Sequence, residues 1–576
     1  MKSRIALVGA MAAALAVAAA GCGSSSNNSS AGTSNLKPQH GGTIVFALPP
    51  QTNINWYIPV VNSGYDSLYN FQLINSLYKP LIWINNQYGI NWKSSVASKI
   101  TYNTSGTVYH VFLNPKWKWS NGQPVTAQDV LFTWNVIKAA SAPNAPTPWP
   151  YVGAGSGDIP NGVQSVVANS AHEVTITLNK PANQEWFIYN GIAQLTPMPA
   201  VWDKYPNNMT REIKYLGAQG TNPHFDSVVD GPFKLQSATS GQSWVLVPNN
   251  RYSGQKAYVN RLVMAYEGSN SAEFAALKTG TVQVGYLDQA EYGARNELNQ
   301  DNITPQYPFD YQDIELNMQS NAPNGLGKVF SQLYVRQALE MGIDQKAVDT
   351  AIYHGYGQPQ YGPIPVQPKT HFLDATTSKP IYPFNPKAGK KLLESHGWKE
   401  IGGVMTNHGV KLQFTVMYSS GSASTDAQMA LLQQDWAREG VKITLKPTPF
   451  ASLIGIIDSP AQANKWAAAG GQGIIYGGSY PTGEELFAKG AGLNNYGYND
   501  PTENSLIAKT EVPYTSQAAS LKAYNAYENY TAQNLPVLWV NNVATLGVNA
   551  KNVHNSVKYG NSLTGYPQFQ YFWVSK

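Results

Sequence analysis

The chain has 576 residues, 39 Lys and Arg against 34 Asp and Glu, a formal charge of +5 and a single cysteine. The small, dispersed charge contains no Lys/Arg cluster that would track phosphates, which argues against nucleic acid as a partner. One cysteine rules out an intramolecular disulfide and a multi-cysteine metal site, so the core must come from packing alone, which a chain of this length can supply. Charged residues make up 13% of the chain, against the ~25% usual for globular domains. That suits a low-pH exterior, where carboxylates lose their partners. It equally suits the drift of a secreted protein towards neutral polar residues.

Lys2 and Arg4 precede an apolar run from Ile5 to Ala20, then Gly21-Cys22 and the polar stretch Gly23 to Asn28. The run falls short of the ~20 residues a membrane span needs, and no basic stop follows it. Small residues before a lone cysteine, behind a positive and then apolar leader, resemble the lipobox of bacterial lipoproteins. The expectation is a signal peptide over 1–21, lipidation at Cys22, a flexible linker over 22–36 and a body held outside the cytoplasm at the cell membrane. Loss of Lys2 and Arg4 lowers the formal charge to +3.

Residues 43–48 alternate as a first strand, and 108–113 as another. Asn121-Gly122 is a tight-turn dipeptide, and Thr126 is a fair helix N-cap ahead of the buried face of Val130 and Leu131. Ala272 to Lys278 is predicted as a short helix closed by Gly280. Val335, Ala338, Leu339 and Gly342 share a helical face. Asp344 caps a second helix with Ala347, Val348, Ala351 and Ile352 inward. Leu412, Phe414 and Val416 alternate, Met429, Leu432 and Trp436 form one helix face, Gly440 ends it, and Val441, Ile443 and Leu445 alternate again. That strand–helix–strand order predicts a parallel pair with a right-handed crossover. The class is α/β with mixed sheets, and no repeat of fixed period occurs.

Six segments, in order, resemble the dipeptide-, oligopeptide- and nickel-binding lipoproteins of ABC transporters, solute-binding family 5. The strongest is Lys118-Trp119-Ser120-Asn121-Gly122-Gln123-Pro124-Val125-Thr126-Ala127-Gln128-Asp129-Val130. The others are Asp230-Gly231-Pro232-Phe233 with Asn249-Asn250-Arg251-Tyr252, Val335-Arg336-Gln337-Ala338-Leu339, Asn385-Pro386-Lys387-Ala388 with Gly397-Trp398, Asn499-Asp500-Pro501, and Leu535-Pro536-Val537-Leu538. The resemblance implies a two-lobed, type II periplasmic-binding-protein-like fold with an extra inserted subdomain in the first lobe. It places the first lobe at 37–308, with the insertion at about 86–226, the second lobe at 309–539 and a return to the first over 540–576. It also implies a solute trapped between lobes as they close, delivery to membrane permease subunits, a monomer and no catalysis.

In peptide-binding relatives an acid in a Trp-x-x-Asp-Tyr stretch pairs with the peptide amine. The matching stretch here is Tyr476-Gly477-Gly478-Ser479-Tyr480-Pro481-Thr482-Gly483, with Ser479 where the acid should stand. An unpaired buried ammonium is costly, so a free peptide amine would need Glu484 or Glu485 in that role. The facing wall is expected after the first strand, where Gln51, Asn53 and Trp56 offer amides and an aromatic face. The candidate binding residues are therefore Gln51, Asn53, Trp56, Tyr476, Gly478, Ser479, Tyr480 and Glu484. Amides with aromatic rings also suit an oligosaccharide, the alternative ligand; a lone Trp or Tyr is more often packing than platform. The scattered histidines form no His-x-x-x-His pair, and no phosphate loop, Gly-x-Ser-x-Gly elbow or dinucleotide turn occurs, so neither cofactor nor metal is expected. A glycan hydrolase, the rival from another class, would need two carboxylates converging in the cleft. Glu484 and Glu485, being adjacent, should point apart.

Overall fold

The strand Thr43–Ala47 lies in the middle of a seven-stranded sheet, parallel to Arg261–Ala265 on one side and Val284–Leu287 on the other. Hairpin strands Ser243–Pro248 and Phe233–Thr239 extend one edge, and Thr545–Ala550 and Asp301–Gln306 the other. This computed structural model describes residues 36–225 and 228–576. The expected signal peptide, Cys22 and the linker up to residue 35 lie outside the described residues.

A second, six-stranded sheet takes Gly357–Pro359, Leu538–Val543, Asp310–Leu316, Ala468–Ile475, Gln413–Ser419 and Lys442–Thr448, in that order. Gln413–Ser419 and Lys442–Thr448 are parallel, with Phe414 opposite Ile443, and the helix Ala423–Ala437 connects them. Gly440 ends that unit at φ +79°, where a side chain would be strained. The chain passes between the two sheets twice, over residues 307–309 and at Ala544. Asn542 ties the crossings together, its Nδ2 donating to the carbonyls of Pro308 and Asp310 at 3.2 and 2.9 Å. Each sheet is thus the base of one lobe.

Between the first strand and Phe233–Thr239 the chain builds a separate antiparallel sheet, ordered Ala97–Tyr102, Val108–Leu113, Glu173–Leu178, Val163–Ser170. The helix Ala127–Ala140 covers it. Its start is held by Asp129, whose carboxylate accepts from the Thr126 amide at 2.7 Å and from the Ala200 amide at 2.8 Å. The signature around Asn121-Gly122 is therefore a turn and a cap. Side-chain caps open other helices as well. Ser269 caps Asn270–Thr279, Asn385 caps Pro386–Ser395 and Asp500 caps Pro501–Thr510. Asp344 caps as expected, but only Gln345–Ala347 is α-helical and a π turn follows over Val348–Ile352. Among the described residues no helix is long and apolar enough to cross a membrane.

Candidate functional site

A cavity of about 740 Å³ lies between the two sheets, a volume in the range of small-molecule sites. The first lobe contributes Phe46, Thr52, Asp66, Tyr69 and Tyr286. The crossover strand contributes Asp310, Gln312 and Glu315. The second lobe contributes Ser420, Asp458 and the run Ile474 to Ser479. The walls are rich in aromatic rings, among them Phe71, Trp83, Phe450, Tyr476 and Tyr566. Beside it the lobes are hydrogen-bonded through one second-lobe turn. Ser420 donates to Gln51 at 2.6 Å, and Ser422 and Ser424 donate to Asp288 at 2.7 and 2.9 Å.

Five carboxyl groups face this space: Asp66, Asp310, Glu315, Asp458 and Glu485. Among the described residues no Lys, Arg or His lines it, and none of the five is in a salt bridge. Burial pushes Asp66 up to about 7, helped by the neighbouring Glu485. Burial also raises Asp310 to about 7, opposed by its hydrogen bond from Asn542. Glu315 and Asp458 lie well above the usual carboxylate range, first through burial and then through like-charged neighbours, Asp313 for one and Glu315 with Asp66 for the other. Carboxyls crowded on one wall without a counter-ion resist ionising together. Lys79 is a nearby buried cation but stands behind the wall, its ammonium 4.1 Å from the ring centroid of Trp83. Its backbone amide donates to Asp230.

A bulge places one of these acids. Along a regular strand Asp310, Gln312 and Ile314 would share a face. The register shifts between Gln312 and Ile314, so Ile314 goes into the core and Glu315 takes its place on the cavity wall.

The structure brings Tyr476, Gly478 and Ser479 onto the cavity wall. Tyr476 presents its ring, since its hydroxyl donates to the Pro363 carbonyl at 2.6 Å. Gly478 sits at φ +90°, and a Cβ there would stand 3.1 Å from Ile84 and Thr564. The other expected residues lie off the wall. Trp56 is 0% exposed in the first-lobe core, its indole N–H donating to the carbonyls of Ile58 and Val60 and its ring against Tyr65 and Trp149. Asn53 braces a turn by accepting from Ser240 and the Gly241 amide. Gln51 makes the interlobe bond to Ser420. Tyr480 is buried against Phe372 and Tyr524.

Glu484 and Glu485 do point apart. Glu485 faces the cavity, while buried Glu484 accepts from the Gly157 amide at 2.9 Å, the Trp186 indole at 2.6 Å and Asn190 Nδ2. It joins the segment after Tyr480 to the insertion. No motif or spacing in the sequence marks Asp66, Asp310, Glu315 or Asp458. The one local signal is the density of acids in Asp310-Tyr311-Gln312-Asp313-Ile314-Glu315, unusual for a buried strand. No group of three His, Cys, Asp or Glu among the described residues could hold a metal ion.

A half-open cavity, its walls more apolar than polar but carrying several acids, between two lobes joined by crossover strands suits the capture of a ligand. Residues 91–489 match the model of the bacterial extracellular solute-binding proteins, family 5, and the chain belongs to that family, one of binding proteins rather than enzymes. The chain is 24% identical over 445 residues to the oligopeptide-binding protein AppA of Bacillus subtilis, covering 75% of this chain and 74% of that protein. It is also 24% identical over 506 residues to a dipeptide-binding protein of Lactococcus lactis subsp. cremoris, covering 83% and 86%. The structure of AppA in complex with a nonapeptide superposes with a TM-score of 0.80 at 19% identity, over 94% of this chain and all of that one. The type II binding-protein fold is therefore shared.

Proposed function

We propose that this chain is the lipid-anchored substrate-binding protein of an ABC importer. It captures a peptide or peptide-like solute between its lobes, closes on it as a monomer, and hands it to permease subunits in the membrane. The observation that carries this is the 740 Å³ cavity between two sheets joined by two short crossings, in a family whose relatives here are named for peptide binding. Crossings of one to three residues suit a hinge, and a ligand touching both lobes favours the closed arrangement only while bound. The cavity does bring carboxylates together, as a glycan hydrolase would require, but the family assigns such a space to binding.

Adding a mixture of short peptides should raise the melting temperature, because ligand binds only the folded chain. Small-angle scattering should show a smaller radius of gyration. No change in melting temperature with any peptide at millimolar concentration would refute the peptide reading; an unchanged radius with a raised melting temperature would refute closure alone. Cys22→Ser should move the protein from the membrane fraction to the soluble fraction or leave it as precursor. Two acyl chains on Cys22 would make a stable anchor at about 0.8 kcal/mol per buried CH₂. A wild-type protein with an unmodified Cys22 thiol would refute the anchor.

A further inference from the structure

Four of the acids that line the cavity act on one another electrostatically. Glu485 raises Asp66, and both Glu315 and Asp66 raise Asp458. Glu315 and Asp458 are each only 7% exposed, and the side chains of both, like that of Asp66, have no hydrogen-bond donor among the described residues. Their remaining exposure is to the cavity. A carboxylate removed from water without a partner is costly, and this chain keeps several at one site with no cation on the wall. In the ligand-free protein protonation relieves that cost; a cationic ligand would relieve it as well.

We propose that the cavity selects ligands carrying two or more positive charges, of the class of short basic peptides. The peptide part of this rests on the function proposed above; the charge part rests on the cavity alone. One ammonium, such as a peptide's α-amine, can pair with one or two of these carboxyls. The wall carries five, Asp66, Asp310, Glu315, Asp458 and Glu485, which leaves carboxyls for a second. Aromatic rings on the wall at Tyr69 and Tyr566 suit the methylene stems and cationic heads of lysine and arginine side chains.

Calorimetric titration of the full chain with four probes tests this: the tripeptides Lys-Ala-Lys, Ala-Ala-Ala and Glu-Ala-Glu, and spermidine. Lys-Ala-Lys should bind more than about tenfold tighter than Ala-Ala-Ala, which is about 1.4 kcal/mol, and Glu-Ala-Glu should bind weakest. Asp66→Asn, Asp458→Asn and Glu315→Gln, each close to isosteric, should narrow the ratio of Lys-Ala-Lys to Ala-Ala-Ala affinity. The wild-type series decides the matter even if a variant fails to fold. Equal affinity for basic and neutral tripeptides, or preference for the acidic one, overturns the charge proposal. Binding of spermidine with no tripeptide bound leaves charge selection standing and overturns the peptide reading. Binding of Ala-Ala-Ala alone does the reverse.

Discussion

Glu484→Ala is expected to lower stability by about 3 kcal/mol or more. Three buried donors, the Gly157 amide, the Trp186 indole and Asn190 Nδ2, converge on this one carboxyl group. Each left unpaired costs about 1–3 kcal/mol, and the vacated volume adds to that. The site offers no easy repair. A Cβ at Gly157 would stand 2.3 Å from the Gly191 backbone, so the insertion is too tightly packed there to turn its donors elsewhere. Burial, with Glu511 and Glu485 near it, pushes this carboxyl above the usual range, and the hydrogen bonds from Gly157 and Asn190 oppose that shift. Glu484→Gln should cost less, since one oxygen still accepts while its amide N–H₂ meets donors. Denaturation of both variants checks this. A loss under 1 kcal/mol for the alanine variant would show that the insertion is anchored by other contacts.

Stability of the ligand-free protein should rise as pH falls from 7 to 5. Burial raises Asp349 and Glu511 to about 7, Glu503 and Glu528 to about 8 and Glu439 to about 9, and Asp66 and Asp310 join them at about 7. Glu439 shows the cause plainly: it is 0% exposed and neither carboxyl oxygen has a hydrogen-bond donor. Unfolded carboxyls lose their protons near pH 4. Between that value and about 7 the folded chain holds more protons than the unfolded one, so the stability these carboxyls contribute is fully present near pH 4–5 and is lost as pH rises through about 7. His554, held below its ordinary value by burial, works the other way but stands alone against these carboxyls. Lys79, lowered to about 7 by burial, opposes the trend only above that pH, so the comparison is best made between 5 and 7. Melting curves at the two pH values should differ by several degrees. A flat or inverted profile would mean that these groups are hydrated and ionised in the folded chain. Basic peptides should show the opposite trend, binding tighter at pH 7 than at 5 and releasing protons as they ionise the cavity acids. Titrations in two buffers of different ionisation heat would read that release.

Much of the scaffold is legible along the chain because its determinants are local. The Thr126 cap with Asp129 three residues on, the glycine at φ +79° that closes the crossover helix and the alternation either side of it need only the residues next to one another. The same holds for Glu484 and Glu485, which diverge because neighbouring side chains on any backbone do. Family membership follows from several such local patterns kept in order.

The cavity is different. Trp56 sits in an amide-rich stretch that reads equally well as a platform or as packing, and only the fold of residues 54–65 around Trp149 puts its ring in the core. The five carboxyls come from segments around 66, 310–315, 458 and 485, with no spacing that links them. Glu315 reaches the wall through a bulge that reverses the strand's side-chain alternation. By itself the sequence determined the family, the α/β class, the helix starts and the parallel crossover unit, since these depend on hydrogen bonds and periodicities within a few residues. The tertiary structure alone decided which acids meet without a cation, because burial and like-charge proximity belong to space shared by distant segments and have no counterpart along the chain.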